Sequence, residues 1–285
     1  MTKNGQAQSL DWNQIWKDEM EKCSLVGLES GTLKQWSTSE AERFLQKSGE
    51  KYVKLLTQKL NITADDDVID VGCGPGRLTI PLAKTVNSVT AVDVSTGMLE
   101  VLKRRAKEES LDNIIYVNKY WREVTIGKEI KKEYDVALAS NCINLLGAKE
   151  AYKNGKKQLD WNLKEALKKI NFVGKNNYLT MPVMHHKGFS EIFTAVGKQY
   201  HPFPKYITVH NVLYQMGIKP EIDYFSTQCK RHTKPENVIE RIEWLCDIKS
   251  EQKQMIKDKI YGNVDKSDKG LQVWALIHWH QNQAN

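Results

Sequence analysis

Apolar residues in the middle of this chain follow two alternating rhythms. Val68-Ile69-Asp70-Val71, Ser88-Val89-Thr90-Ala91-Val92-Asp93, Asn113 to Val117, Tyr134 to Ala139 and Asn177 to Pro182 are short runs, apolar and rich in β-branched residues, of strand length. Between them lie stretches with helical spacing: one begins at Leu78, one carries Met98, Leu99, Leu102 and Ala106, and one runs from about Trp161 to Ile170. Strands separated by helices need crossover connections. The pattern therefore predicts an α/β fold, a mostly parallel sheet with helices on both faces.

The flanks depart from this rhythm. Trp12, Ile15, Trp16 and Met20 form an aromatic helical face that Ser9 or Asp11 can cap, and Gly27 and Gly31 interrupt it. A second helix is expected from about Ser39 to Leu60, with Ala41, Phe44, Leu45, Val53, Leu56 and Leu60 on one stripe and a capped start at Ser39-Glu40-Ala41-Glu42. Residues 1–61 thus read as an N-terminal helical cap and 62–285 as the main domain. Near the C-terminus a helix from about Ile207 to Met216 stops at Gly217, and Glu221 to Phe225 reads as a strand. A helical insertion near 234–262 follows, with Val238, Ile242 and Leu245 at one spacing and Met255, Ile256 and Ile260 at another. Leu271 to Trp279 alternates as a last strand.

Composition narrows the class without naming a function. Hydrophobic content of 40% and charged content of 27% suit a globular chain, and 285 residues can bury a sizeable core. No apolar run approaches the roughly 20 residues a bilayer span requires, and the polar start Met1 to Gln6 does not resemble a signal peptide. A cytoplasmic protein with no membrane partner is expected. Its five cysteines are widely spaced with no Cys-x-x-Cys pair, so neither a disulfide framework nor a metal site is expected. The net charge of +7 is spread along the chain, which favours a solvated lysine-rich surface over a nucleic-acid track.

The chemistry concentrates at Asp67 to Gly76, where a β-branched run enters Gly72-Cys73-Gly74-Pro75-Gly76 and a helix follows. Glycines there let the backbone turn sharply and approach a ligand. Asp93, 19 residues after Gly74, ends the second predicted strand, where a carboxylate can accept hydrogen bonds from ribose hydroxyls. The dinucleotide fingerprint Gly-x-Gly-x-x-Gly, counted from Gly72, puts Arg77 at its third glycine, and Pro75 sits inside the loop. This spacing suits an adenosyl group carrying an amino acid better than a dinucleotide.

With Ala91-Val92-Asp93-Val94-Ser95 and Met98-Leu99, this loop resembles the class I S-adenosylmethionine-dependent methyltransferases, in their small-molecule branch, over roughly Ile62 to Val183. The resemblance implies a Rossmann-like seven-stranded sheet whose last strand is antiparallel. It implies S-adenosylmethionine as cofactor and S-adenosylhomocysteine as product. The backbone of Gly72, Cys73, Gly74 and Gly76 would face the methionine part, Asp70 would receive its ammonium, Asp93 would hold the ribose, and Val94 and Met98 would border the adenine. The family often places an aspartate after the third strand; here Asn118-Lys119-Tyr120-Trp121 stands there, so backbone groups or stacking on Trp121 must substitute. Ser140 and Asn141 fill the position beneath the methionine chain and near the acceptor. Cys73 reads as packed filler, since no base adjoins it.

Methyl transfer from a sulfonium needs alignment and exclusion of water, and a base only where the acceptor must first lose a proton. Candidate bases are His185 and His186, adjacent histidines that are more often solvent-exposed. Met184, Tyr200 and Trp36 are candidate acceptor-pocket residues. A small-molecule acceptor is expected, attacked at O, N, S or C by in-line displacement. The runner-up is an RNA or other nucleic-acid methyltransferase; an Asn-Pro-Pro-Tyr type of motif is absent after the fourth strand. A non-catalytic S-adenosylmethionine-binding regulator is the reading from another class.

Overall fold

The computed structural model describes residues 10–46, 49–183, 188–230, 235–245, 248–262 and 269–281. Near the N-terminus Asp11 accepts hydrogen bonds from the N–H groups of Asn13 and Gln14 and opens α1 (Trp12–Lys22). A small hairpin, β1 (Leu28–Glu29) and β2 (Thr32–Leu33), follows. The single long helix expected over 39–60 is instead two, α2 (Thr38–Gln46) and α3 (Glu50–Thr57), with Gly49 at the N-cap of the second. The cap of α2 is Ser37 rather than Ser39: Ser37 Oγ accepts from Glu40 N–H, and Ser37 N–H returns a bond to Glu40 Oε2. That exchange satisfies two otherwise orphaned groups at the helix start.

The main domain alternates as the periodicity predicts: β3 (Asp67–Val71), α4 (Thr79–Ala83), β4 (Ser88–Asp93), α5 (Thr96–Glu108), β5 (Ile114–Asn118) and β6 (Tyr134–Ser140). After a short α6 (Ile143–Leu146) comes an unexpected hairpin, β7 (Ala148–Lys153) and β8 (Lys156–Trp161). Its two-residue turn is Asn154-Gly155, both residues at positive φ, the conformation that matches strand twist in tight hairpins. Then follow α7 (Leu163–Val173), β9 (Gly174–Pro182), α8 (Gly188–Ala195), α9 (Tyr206–Gln215), β10 (Glu221–Lys230), α10 (Pro235–Leu245), α11 (Ser250–Gly262) and β11 (Lys269–His280).

The seven-stranded sheet has the order β10-β11-β9-β6-β3-β4-β5. β3 pairs in parallel with β4 and β6, whereas β11 runs antiparallel to both neighbours, with Ala275 opposite Met181 on β9 and Tyr224 on β10. Strand order reverses beside β3, so a crevice opens at its C-terminal end between the connections to β4 and β6. One sheet face packs Trp16, Leu163, Leu167 and Leu179 into a single core. The other packs Leu56, Ile80, Leu82 and Leu102 over Val68 and Val136. A third cluster packs Leu25, from the segment after α1, with Phe193, Ile242 and Ile256 of α8, α10 and α11. No helix among the described residues is long and apolar enough to cross a membrane.

Candidate functional site

β3 ends at Val71, and the chain turns through Gly72 at φ +73° and Gly74 at φ +55°. The N–H groups of Gly72 and Cys73 both reach Val92 O, at 2.7 and 3.1 Å, which fastens the turn to the end of β4. The two glycines answer different needs. A Cβ on Gly72 would lie 2.5 Å from Cys142 Sγ, so close packing excludes a side chain; a Cβ on Gly74 would meet nothing within 4 Å, so it would project into open space. Asp93 spans the opening: its Oδ2 accepts from Gly74 N–H and its Oδ1 from Ser95 N–H, each at 2.8 Å. Burial raises the Asp93 carboxyl, and the backbone N–H donors oppose that shift. Pro75 O accepts from Arg105 on α5, which braces the far side of the loop.

Asp70, near the end of β3, is buried, with Oδ2 accepting from Thr79 Oγ1 at 2.7 Å. Burial pushes its carboxyl up to about 6; the Thr79 bond lowers it and the nearby Asp93 charge raises it. Cys73 is buried with its thiol well above the usual range, a packed side chain and not a poised nucleophile. Across from the loop, Asn141 adopts φ +54° and donates its N–H to Thr180 O, and the Cys142 thiol donates to Val71 O at 2.9 Å. The segment after β6 is thereby held against Gly72. Tyr52, which the sequence did not single out, reaches the same point from α3, with its hydroxyl 2.6 Å from Ser140 Oγ. Neither Thr79 nor Tyr52 carries a local motif; their partners lie on other elements.

Two expected adenine contacts are used otherwise. Trp121 is buried in the core, its indole N–H donating to Ala166 O on α7 at 3.0 Å and the Lys169 ammonium lying 5.3 Å from its ring centroid. Tyr120 is likewise buried, and its hydroxyl accepts from Leu33 N–H on β2. The loop after β5 is tethered by Asn118, whose Nδ2 donates to Asp93 O and Val94 O and whose Oδ1 accepts from Thr96 Oγ1. Val94 remains half-buried at the end of β4, and Met98 packs against Ala41 of α2 and Val101.

Above this edge, Trp36 exchanges hydrogen bonds with Ser95: its N–H donates to Ser95 Oγ, which donates back to Trp36 O. The Trp36 ring lies 4.9 Å, centroid to centroid, from that of Trp244 on α10. Tyr200 packs its ring on Phe193 in the same helical cluster. Met184, His185 and His186 lie outside the described residues. Among the described residues no group of three or more His, Cys, Asp or Glu side chains is placed to hold a metal ion.

Residues 68–159, from β3 through β8, match the family described as methyltransferase domain. The chain carries a methyltransferase domain there. An uncharacterized protein of Haemophilus influenzae is 26% identical to this methyltransferase over 95% of its length and 97% of the relative's. A stretch of 30% of the chain is 29% identical to 20% of the 23S rRNA (uracil(1939)-C(5))-methyltransferase RlmD of Pasteurella multocida. In fold, the methyltransferase is similar to Haemonchus contortus phosphoethanolamine N-methyltransferase 2 crystallised with S-adenosyl-L-methionine, at a TM-score of 0.52 and 14% identity, over 97% of this chain and 61% of that one.

Proposed function

We propose that the methyltransferase holds S-adenosylmethionine on the shelf between Gly72 and Asp93 and passes its methyl group to a small-molecule acceptor. The open space over Gly74, bounded by an Asp93 carboxylate at hydrogen-bonding distance, is the observation that carries the cofactor placement. Each Asp93 oxygen has spent one lone-pair direction on a backbone N–H and keeps another for a ribose hydroxyl. Val94 and Met98 border the adenine, and Asn118 fixes the backbone beside them. Asp70, costly as a buried anion, is restored to its charged form by a neighbouring ammonium. The bound sulfonium supplies an electrophilic methyl group. The chain's residues align the acceptor with it and keep water away, for which no base dyad is required.

The roof supports a small acceptor. Leu25, Phe193, Ile242 and Ile256 draw α8, α10 and α11 onto the N-terminal cap, and Trp36 meets Trp244 beside Ser95, two residues beyond Asp93. Such a cover suits an enclosed chamber better than a surface for a folded nucleic acid. An RNA acceptor is the second reading, favoured by the stretch similar to RlmD. The test is to incubate the full chain with methyl-labelled S-adenosylmethionine and separate fractions of a cell extract. Label is expected in the small-molecule fraction; label confined to RNA or protein would overturn the reading.

A further inference from the structure

Three hydroxyl groups from three distant parts of the chain meet at the rim of the shelf. Tyr52 on α3 places its oxygen 2.6 Å from Ser140 Oγ at the end of β6 and 2.5 Å from Thr180 Oγ1 on β9, and Thr180 donates to Ser140 across 3.1 Å. The rings of Trp274 and Phe225, at 4.6 and 5.6 Å between centroids, hold the tyrosine ring in place.

A count of hydrogens decides what this cluster can offer a ligand. Three hydroxyls carry three hydrogens. The Thr180 hydrogen is spent on Ser140, so the contact between Tyr52 and Thr180 must use the Tyr52 hydrogen. The contact between Tyr52 and Ser140 must then use the Ser140 hydrogen, and the ring closes. Burial pushes the Tyr52 phenol up to about 12, so it keeps its hydrogen at neutral pH. Tyr52 and Thr180 are buried, whereas Ser140 is half-buried and is the member that faces outward. Its oxygen has accepted one hydrogen bond and has one acceptor position left. The cluster thus presents an acceptor, polarised by the ring behind it, and no donor. Its place is fixed next to the glycine loop, because Cys142, two residues on, donates to Val71 O.

We infer that Ser140, locked by Tyr52 and Thr180, receives an N–H or O–H of the methyl acceptor, so the substrate is an amine or a hydroxyl compound and not a thiolate, carboxylate or carbon nucleophile. This inference rests on the cofactor placement proposed above. The acceptor's lone pair forms the new N–C or O–C bond while the C–S bond breaks with its electron pair remaining on sulfur. The acceptor's proton, pointed at Ser140 Oγ during alignment, leaves to water. Tyr52 and Thr180 are positioning residues that keep the Ser140 hydrogen turned inward.

The test uses the full chain, S-adenosylmethionine labelled with carbon-13 in the methyl group, and the small-molecule fraction of a cell extract, read by carbon–proton correlation spectra. Product methyl resonances in the N–CH3 or O–CH3 range are expected; S–CH3, C–CH3, or no product from a protein that binds S-adenosylhomocysteine would overturn the inference. With the acceptor so found, Y52F and S140A should each raise its KM about tenfold or more through loss or reorientation of one hydrogen bond. Calorimetric affinity for S-adenosylhomocysteine should stay unchanged in Y52F, and S140T should recover the activity lost in S140A. Wild-type KM in both variants would refute the role of the ring. Y52F keeps the aromatic packing, so it guards against a fold defect from S140A. Failure of the wild-type chain to bind S-adenosylhomocysteine would instead remove the cofactor placement itself.

Discussion

Two glycines of one loop should respond in opposite ways to the same substitution. In Gly74→Ala the new methyl group meets no protein atom within 4 Å, so the fold bears only the cost of an alanine at φ +55°, roughly 1–2 kcal/mol. In Gly72→Ala the methyl group would lie 2.5 Å from Cys142 Sγ and 2.6 Å from its Cβ, with φ at +73°. Overpacking adds about 1–3 kcal/mol to the backbone cost. Thermal denaturation should therefore rank Gly72→Ala well below Gly74→Ala, with roughly 2–4 °C of midpoint for each kcal/mol. Ligand affinity should separate them the other way. The Gly74→Ala methyl group occupies the space proposed for the methionine part of the cofactor, so this variant should fold well and yet lose S-adenosylhomocysteine affinity by roughly 100-fold or more, the scale of one severe steric conflict. Isothermal calorimetry on the folded variant measures this. A Gly74→Ala protein that binds like wild type would refute the claim that the open space over Gly74 is the cofactor's place.

Asp70 gives a pH signature. Its folded pKa of about 6 lies above the usual 3.8, so its ionised form costs stability at neutral pH, and that cost is relieved as pH falls from about 6 toward 3.8. Asp70→Asn should stabilise the ligand-free protein at pH 7.5 by on the order of 2–3 kcal/mol, seen as a higher melting temperature. The gain should vanish near pH 4, while cofactor affinity falls; a gain independent of pH would contradict the burial argument. Arg122 clamps the unexpected hairpin, donating to Gly147 O and Asp160 O and pairing with Asp160 and Glu165. Arg122→Met removes those hydrogen bonds and both ion pairs and should cost about 2–3 kcal/mol in denaturant unfolding. Limited proteolysis should then cut near Asn154-Gly155 faster; unchanged cleavage would argue that Trp161 and Ala148 anchor the hairpin alone.

What the sequence revealed and what it hid follow from the range of each interaction. β3, the glycine turn and Asp93 are legible because each is set by neighbours in the chain: a β-branched run, glycines, and a carboxylate at a strand end. The parallel sheet follows from alternating periods, and antiparallel β11 entered through resemblance rather than from its alternation. Tyr52 sat unmarked beside the apolar stripe of its helix, because its partners Ser140 and Thr180 are 88 and 128 residues away. Trp121 had the right position for a ring on the cofactor, but a long-range bond to Ala166 O and core packing claim it. The β7–β8 hairpin did carry a local signal in Asn154-Gly155. Lysines around the turn, in place of an apolar alternation, concealed the strands. Gly49 marked the break between α2 and α3, and a continuous-looking apolar stripe outweighed it.

Asp93, at the end of β4, is the proposed anchor of S-adenosylmethionine in this chain. That role is tested most directly by calorimetric titration of S-adenosylhomocysteine into the full chain and into Asp93→Ala. One site per chain is expected in the wild type. The variant should lose roughly 100- to 10000-fold in affinity, the effect of removing two hydrogen bonds to a charged group. Equal affinity in the two proteins, or no binding by the wild type, would contradict it.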